Sequence, residues 1–254
     1  MFVQLEYELS FEAPFHCGTG IREGLIDRTV IRDAQGLLYV PGSTLKGVLR
    51  EQCEWVCEFY AVDGEKKRRV ASPHDAGSVL TEFGGTPSLV THVFGSQLAP
   101  CGLLFSDARL THRARRDYRD GQTATLTQVR LDRVYRTAMD EALFTSQFGI
   151  PDLTFTGTII GQLATAPLAE LACEEIDDNE ETFTLTPSPA LLLLLAGLHL
   201  IERVGGNRSS GKGACRCEIK RLELDRRVCS VETWRLWLEQ VEILSRYHTL
   251  EKGA

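Results

Sequence analysis

Pro189 to Ile201 reads PALLLLLAGLHLI, a run in which His199 is the one polar side chain. A segment apolar all round has no face to turn to water, yet this one falls short of the roughly 18 to 20 residues that a bilayer crossing takes. It is expected to be a buried helix, opened by Pro187-Ser188-Pro189 and continuing to Arg203. The rest of the chain must cover it. With 254 residues, 43% of them hydrophobic, a full core is available, as one large domain or two small ones.

The cover is legible in the flanking patterns. Val3, Leu5, Tyr7, Leu9 and Phe11 alternate as a strand buried on one face requires. After the loop APFHCGTGIREGLID, an extended pair RTVIRD and LLYV is predicted around Ala34-Gln35-Gly36. Pro41-Gly42-Ser43 suits a helix start, and Leu45, Val48, Leu49, Cys53, Val56 and Tyr60 repeat behind it at helical spacing, predicting a helix from about Ser43 to Tyr60. Residues 62–90 are polar, broken by Gly and Pro, and read as a surface insertion. VFGSQ leads into a strand CGLLFSDARL, and THRARRDYRDGQTATLT reads as a basic loop crowded by Arg113, Arg115, Arg116 and Arg119. The following segment looks like an extended arm that rejoins the body through the alternating Leu153, Phe155, Gly157 and Ile159.

Beyond the buried helix come a glycine loop, a strand CRCEIKRLEL, and a final helix with Trp234, Trp237, Leu238, Val241 and Leu244 on one face, packing on its own domain. The order is β-α-β-β-α-β. An α+β class follows, with a ferredoxin-like or RNA-recognition-motif-derived fold expanded by insertions. One domain is expected over residues 1–225, with the insertion at 62–90, an arm at about 126–160, and a C-terminal helix in 226–254.

The glycine loop, GGNRSSGKG from Gly205 to Gly213, stands one residue away from a Walker A loop. It follows a helix, precedes a strand, and has Gly213 where a Mg²⁺-binding hydroxyl should stand, so nucleotide triphosphate binding is not expected. Two readings remain. Glycines with Arg208 and Lys212 suit a sugar-phosphate backbone, and a Schellman stop and turn needs only one or two glycines.

Charge does not decide between them. The formal net charge is -7, but EEIDDNEE, Glu174 to Glu181, read as a solvated turn, carries six acids, so the remainder is near neutral and can hold a basic groove. The eight cysteines show no framework of paired spacings and are read as reduced thiols. Cys53 and Cys57 could share zinc with His74, or be buried thiols. Nothing at the N-terminus suggests export, and a cytoplasmic protein is expected.

Four separated motifs then resemble one family. PGSTLKGVLR at 41–50, LIDRTVIRD at 25–33, VFGS followed by LLFSDARL within 93–110, and a glycine loop after an apolar helix resemble the RAMP superfamily of CRISPR effector subunits. The likeness is in particular to the prokaryotic backbone subunit of type III interference complexes, which polymerises along the guide RNA. It covers roughly residues 2–50, 93–110, 126–163 and 186–224, with Thr29 and Glu141 departing from the family's frequent Pro and Gly.

The resemblance implies a palm, a thumb-like arm and a glycine-rich loop. It implies guide RNA, complementary target RNA and other effector subunits, including copies or relatives of itself, as partners. Asp27 matches the family's aspartate for target RNA cleavage, by binding Mg²⁺ or another divalent cation, or by acting as base. Ser43, Lys46 and Arg50 match residues that grip the guide, and Gly205, Gly206, Arg208, Ser209, Gly211 and Lys212 match the loop packed on it. Arg133 opens the thumb, and His16, in FHCGTG, contacts RNA or is structural. Independently, a helix start at Ser43 with Lys46 and Arg50 at i, i+4 could neutralise neighbouring phosphates, contacts that carry no sequence information. Asp27 could equally be a turn carboxylate bonding its own backbone. Non-catalytic guide binding, and guide processing through His16 or His248, stay open as alternatives.

Overall fold

Strand β1 (Phe2–Phe11) forms as its alternation dictates: Val3, Leu5, Tyr7, Leu9 and Phe11 turn inward and are buried, while Gln4, Glu6 and Glu8 line the other face. The structure, a computed structural model, describes residues 1–60, 88–96, 100–117, 121–132, 134–163, 166–176 and 182–245. Most of the insertion expected at 62–90 lies outside the described residues, as do His74, Arg119, Arg133 and His248.

Along the chain follow β2 (Tyr39–Val40), α1 (Gly42–Phe59), α2 (Leu89–Phe94), β3 (Leu103–Phe105), β4 (Ala108–Leu110) and α3 (His112–Asp117). Then come β5 (Thr123–Leu131), β6 (Ala138–Gly149), β7 (Thr154–Gln162), β8 (Cys173–Ile176), β9 (Thr182–Leu185), α4 (Pro189–His199), β10 (Cys215–Leu224), β11 (Arg227–Cys229) and α5 (Val231–Glu239). The main sheet is antiparallel, ordered β11-β10-β1-β7-β4-β2, with β3 also paired to β7. Its centre, β10-β1-β7 with β3 and β4 beyond, has the strand order of a ferredoxin-like fold, with α1 and α4 as the two helices.

Helix α4 is the buried helix. Ser188 Oγ accepts from Leu191 N at 3.2 Å, Pro189 occupies the first turn, and every residue from Pro189 to Leu198 is buried. Gly197 allows α1 to press close, since a Cβ there would lie 2.5 Å from Cys53 Sγ. The helix ends at His199, four residues before the expected Arg203, because Ile201 turns into the core and Arg203 bridges to Ala214 beside the start of β10. No described helix is long and apolar enough to cross a membrane.

Helix α5 packs on its own domain, as its stripe predicts. Trp234, Trp237 and Leu244 are buried, and Trp237 Nε1 donates to Leu171 O at 2.9 Å.

Local patterns misled elsewhere. VFGS closes helix α2, capped by Ser88, instead of opening a strand. LLFSDARL is two short strands because Ser106 breaks the run, its Oγ accepting from Thr158 N. HRARRD is helical, and the RTVIRD pair reduces to a single bridge, Arg32 to Leu38, around a turn closed by Asp33 Oδ1. Glu174 to Ile176, expected in a solvated turn, are strand β8 paired to β9.

The arm is the β5–β6 hairpin. It pairs Thr123 with Gly149 at its base and Leu131 with Ala138 near its tip, whereas residues 154–162 belong to the body sheet. Leu126, Val129, Leu131, Val134, Tyr135, Met139 and Leu143 are exposed along it.

Candidate nucleic-acid interface

The loop between β1 and β2 lies along β6 and fixes most of the site. Phe15 pairs with Gly149, and Arg28 bridges in parallel to Ser146. Two side chains of this loop are held by β6 backbone. His16 Nδ1 lies 2.8 Å from Gln147 O, which only an Nδ1–H can donate to, and Thr145 N donates to Asp27 Oδ2 at 2.8 Å. Thr145 and Gln147 are two residues apart and project to one side of the strand, about 7 Å from each other. His16 and Asp27 are thereby spaced along a common edge.

The glycine loop closes on the same edge. Gly206 N donates to His16 O at 2.8 Å, and Gly213 N donates to Pro14 O at 2.8 Å. Gly205 has φ +98°, and a Cβ there would lie 2.7 Å from His16 O, so packing as well as conformation demands glycine. Gly213 is likewise held, at φ +75° against Val204 O. The turn Arg208–Ser210 between them is a single 3₁₀ turn flanked by Asn207 and Gly211 in left-handed conformation. Lys212 Nζ stands 5.4 Å from the Phe148 ring centroid, so the loop's second cation leans on the base of the arm. The loop is thus a built seam between His16 and β6, and more than a helix stop.

His16 is the keystone of that seam. Its backbone oxygen and its ring Nδ1 are both engaged within the seam.

Asp27 does not bond its own turn through its side chain. Its backbone N donates to Thr145 O at 2.8 Å, Oδ2 takes the Thr145 N–H, and Oδ1 faces Arg22 Nε at 3.3 Å. The carboxylate is 29% exposed, and this Oδ1 is the oxygen left facing a solvent-exposed arginine. Among the described residues, no three His, Cys, Asp or Glu side chains gather as a metal cage. Asp27 alone offers what a Mg²⁺ ion held mainly by water and phosphate uses, one carboxylate.

The α1 residues divide. Ser43 is exposed in the first turn, and Lys46 Nζ stands 5.6 Å from the Phe105 ring centroid. Arg50 is not presented to solvent: its Nε donates to Glu54 Oε1 at 2.8 Å, Nη1 donates to Gly95 O at 3.3 Å, and the side chain is 15% exposed. Helical spacing puts Lys46 and Arg50 on one face but does not say that α2 will pack there. The helix start is also partly spent, since Gly42 N donates to Asp107 Oδ1 at 2.9 Å. Arg208 Nη1 meets Glu51 Oε2 at 2.6 Å, which ties the glycine loop to α1.

The open sheet face is unlike that of an RNA-recognition motif. Glu6, Glu8 and Glu218 lie there with Lys220, which pairs Glu8 at 3.1 Å and Glu218 at 2.7 Å, in place of base-stacking aromatics.

Cys17, Cys53, Cys57, Cys215 and Cys229 are buried thiols. Cys53 Sγ lies 3.4 Å from Leu193 O and burial pushes its pKa well up, while Cys57 is pushed up to about 12, chiefly by burial.

Sequence reasoning passed over Arg22, Thr145, Gln147 and Arg28, whose guanidinium lies 5.2 Å from the Phe144 ring centroid. Arg22 and Arg28 flank Asp27 in sequence, a signal that was available. Thr145 holds Asp27 through its backbone, which leaves no side-chain signature, while Gln147 also accepts from Val30 N through Oε1 at 3.4 Å.

A family model for the RAMP superfamily matches residues 8–216. None of the curated proteins matches. Among solved structures, a chain of the cryo-EM structure of the Type III-B Cmr-beta bound to cognate target RNA is similar with a TM-score of 0.50 at 11% identity. The likeness covers 85% of this chain and 96% of that chain, and at this identity it concerns the fold.

Proposed function

This chain belongs to the RAMP superfamily, and we propose that it is an RNA-binding subunit of a type III CRISPR effector complex that cleaves target RNA at Asp27. The observation that carries the reading is the shared edge of β6, where Thr145 holds Asp27 and Gln147 holds His16 beneath the glycine loop. A strand lying over the glycine loop would meet Lys212 at Phe148, on the same strand β6 whose Thr145 holds the carboxylate. The similar Cmr-beta chain, solved with cognate target RNA, supports the substrate class.

RNA brings its own nucleophile. Asp27 Oδ1 takes the proton from a 2′-hydroxyl, the 2′-oxygen attacks the adjacent phosphorus, and the 5′-oxygen leaves and takes a proton from water. The products are a 2′,3′-cyclic phosphate and a 5′-hydroxyl. Thr145 N–H fixes the carboxylate throughout, and Arg22, beside it, can turn to the phosphate and offset its growing charge. In place of acting as base, Asp27 Oδ1 would hold Mg²⁺ or another divalent cation, which when bound would neutralise phosphate charge. The exposed apolar side chains of the β5–β6 hairpin, a two-stranded element of marginal stability alone, suit the family's thumb, which parts guide from target and bends one nucleotide out of the stack.

One observation favours a second, non-catalytic reading: Arg22 already sits against the oxygen that a base would use. Target RNA annealed to guide, supplied with Mg²⁺ and a complex carrying Asp27→Ala in this subunit alone, separates the two. Loss of cutting with binding retained supports the enzyme; unchanged cutting leaves this chain as a scaffold. Guide processing through His16 or His248 ranks last: His16 Nδ1 and its backbone oxygen are committed to the seam, and His248 lies outside the described residues.

A further inference from the structure

We propose that the groove leading from the glycine loop along α1 is a stacking site for an unpaired RNA base, with Trp55 as its platform. The proposal rests on the reading of the glycine loop as an RNA backbone contact. The groove encloses about 620 Å³ between α1, the end of α4 and the α5 region, and Trp55, Phe59, Leu200, Arg203 and Arg208 line it. Trp55 is 70% exposed and Phe59 is 80% exposed. They stand one turn apart at i, i+4, off the stripe that packs α1 into the core, so the core formed by the described residues does not use them. Large aromatic surface left in water at one place marks a contact surface.

The groove is polar at one end. Arg208 pairs with Glu51, one turn before Trp55, and Arg203 Nη1 donates to Arg208 O at 3.3 Å. Guanidinium groups therefore mark the glycine-loop end, and the aromatic rings follow at about 6 Å per turn of α1. That is the polarity of one nucleotide, with phosphate at the loop and base on the indole. Glu51 and Glu202 offset the two arginines, so the groove as a whole is near neutral and does not attract the two backbones of a duplex. Stacking on a π face is what remains, and it accepts any base.

Fluorescence tests this in the intact chain. Of the three tryptophans, Trp234 and Trp237 are buried, so quenching reports on Trp55. A ten-nucleotide oligo-adenylate is expected to quench the emission, and a matching duplex is not. Trp55→Ala is expected to weaken oligo-adenylate binding by about five- to a hundredfold, with Trp55→Phe restoring most of it and thermal melting unchanged. Oligo-adenylate that binds without quenching, with affinity unchanged in Trp55→Ala, overturns the proposal and gives the groove to a protein partner. If the native chain binds no RNA at all, the reading of the glycine loop fails first and takes this proposal with it.

Discussion

Asp27 and Thr145 face each other as a strand pair would, each donating its backbone N–H to the other: Asp27 N to Thr145 O and Thr145 N to Asp27 Oδ2, both at 2.8 Å. The second bond uses a side-chain acceptor where a sheet would use a carbonyl. The carboxylate is thus aimed by the arm, and movement of the arm is movement of the proposed catalytic group.

Arg22 is the other group on that carboxylate. Arg22→Ala is expected to slow target cleavage about tenfold, the loss of roughly 1.4 kcal/mol of transition-state stabilisation, with Arg22→Lys recovering part of it. Single-turnover cleavage at saturating RNA reads this directly. Unchanged rates in both variants remove Arg22 from the mechanism.

The Arg208–Glu51 pair is short, but both side chains are partly exposed, so its stability contribution is about 0–1 kcal/mol. Glu51→Ala is therefore expected to leave melting nearly unchanged while freeing a cation for phosphate. RNA affinity should rise, and the slope of log affinity against log salt should steepen by about one. Filter binding across a salt series measures both.

Gly205 is expected to tolerate no side chain. Gly205→Ala places a Cβ 2.7 Å from His16 O at a φ of +98°, at a cost of roughly 1–3 kcal/mol. The core elements do not depend on it. Circular dichroism should keep its native shape while RNA binding falls at least tenfold.

Thiol burial gives the fold an alkaline limit. Cys17, Cys57, Cys215 and Cys217 are pushed from the model-peptide value of 9.0 up to about 12, mainly by burial. Above pH 9 the unfolded chain releases these protons while the folded chain keeps them, so stability falls as pH rises from about 9 toward 12. Urea midpoints at pH 8 and pH 10 should decrease in that order, and iodoacetamide should label the buried Cys17, Cys57 and Cys215 only after unfolding.

The elements that the sequence made legible are those with a single strong cause. The alternation of Phe2 to Phe11, the unbroken apolar run of α4, the 215–224 strand and the tryptophan stripe of α5 each left one way to be buried. Asp27, His16 and the glycine loop were singled out through the family resemblance, and the structure brings them together along β6. For Arg50, helical spacing fixes a face but not what packs on it, and here Glu54 and Gly95 at the end of α2 bond its guanidinium. The helix start at Gly42 was misread as open because its partner, Asp107, lies 65 residues away. Trp55 and Phe59 escaped notice because a search for the buried stripe discards the other side of the helix. Thr145 was illegible in principle, since only its backbone acts.

The central claim is that one carboxylate on an arm-held loop cuts RNA lying over the glycine loop. Its most direct measurement is mapped cleavage of guide-annealed target RNA by the assembled complex carrying Asp27→Ala in this subunit. The account expects target binding to persist and cuts that leave 2′,3′-cyclic phosphate to disappear. Undiminished cutting at the same positions would contradict it.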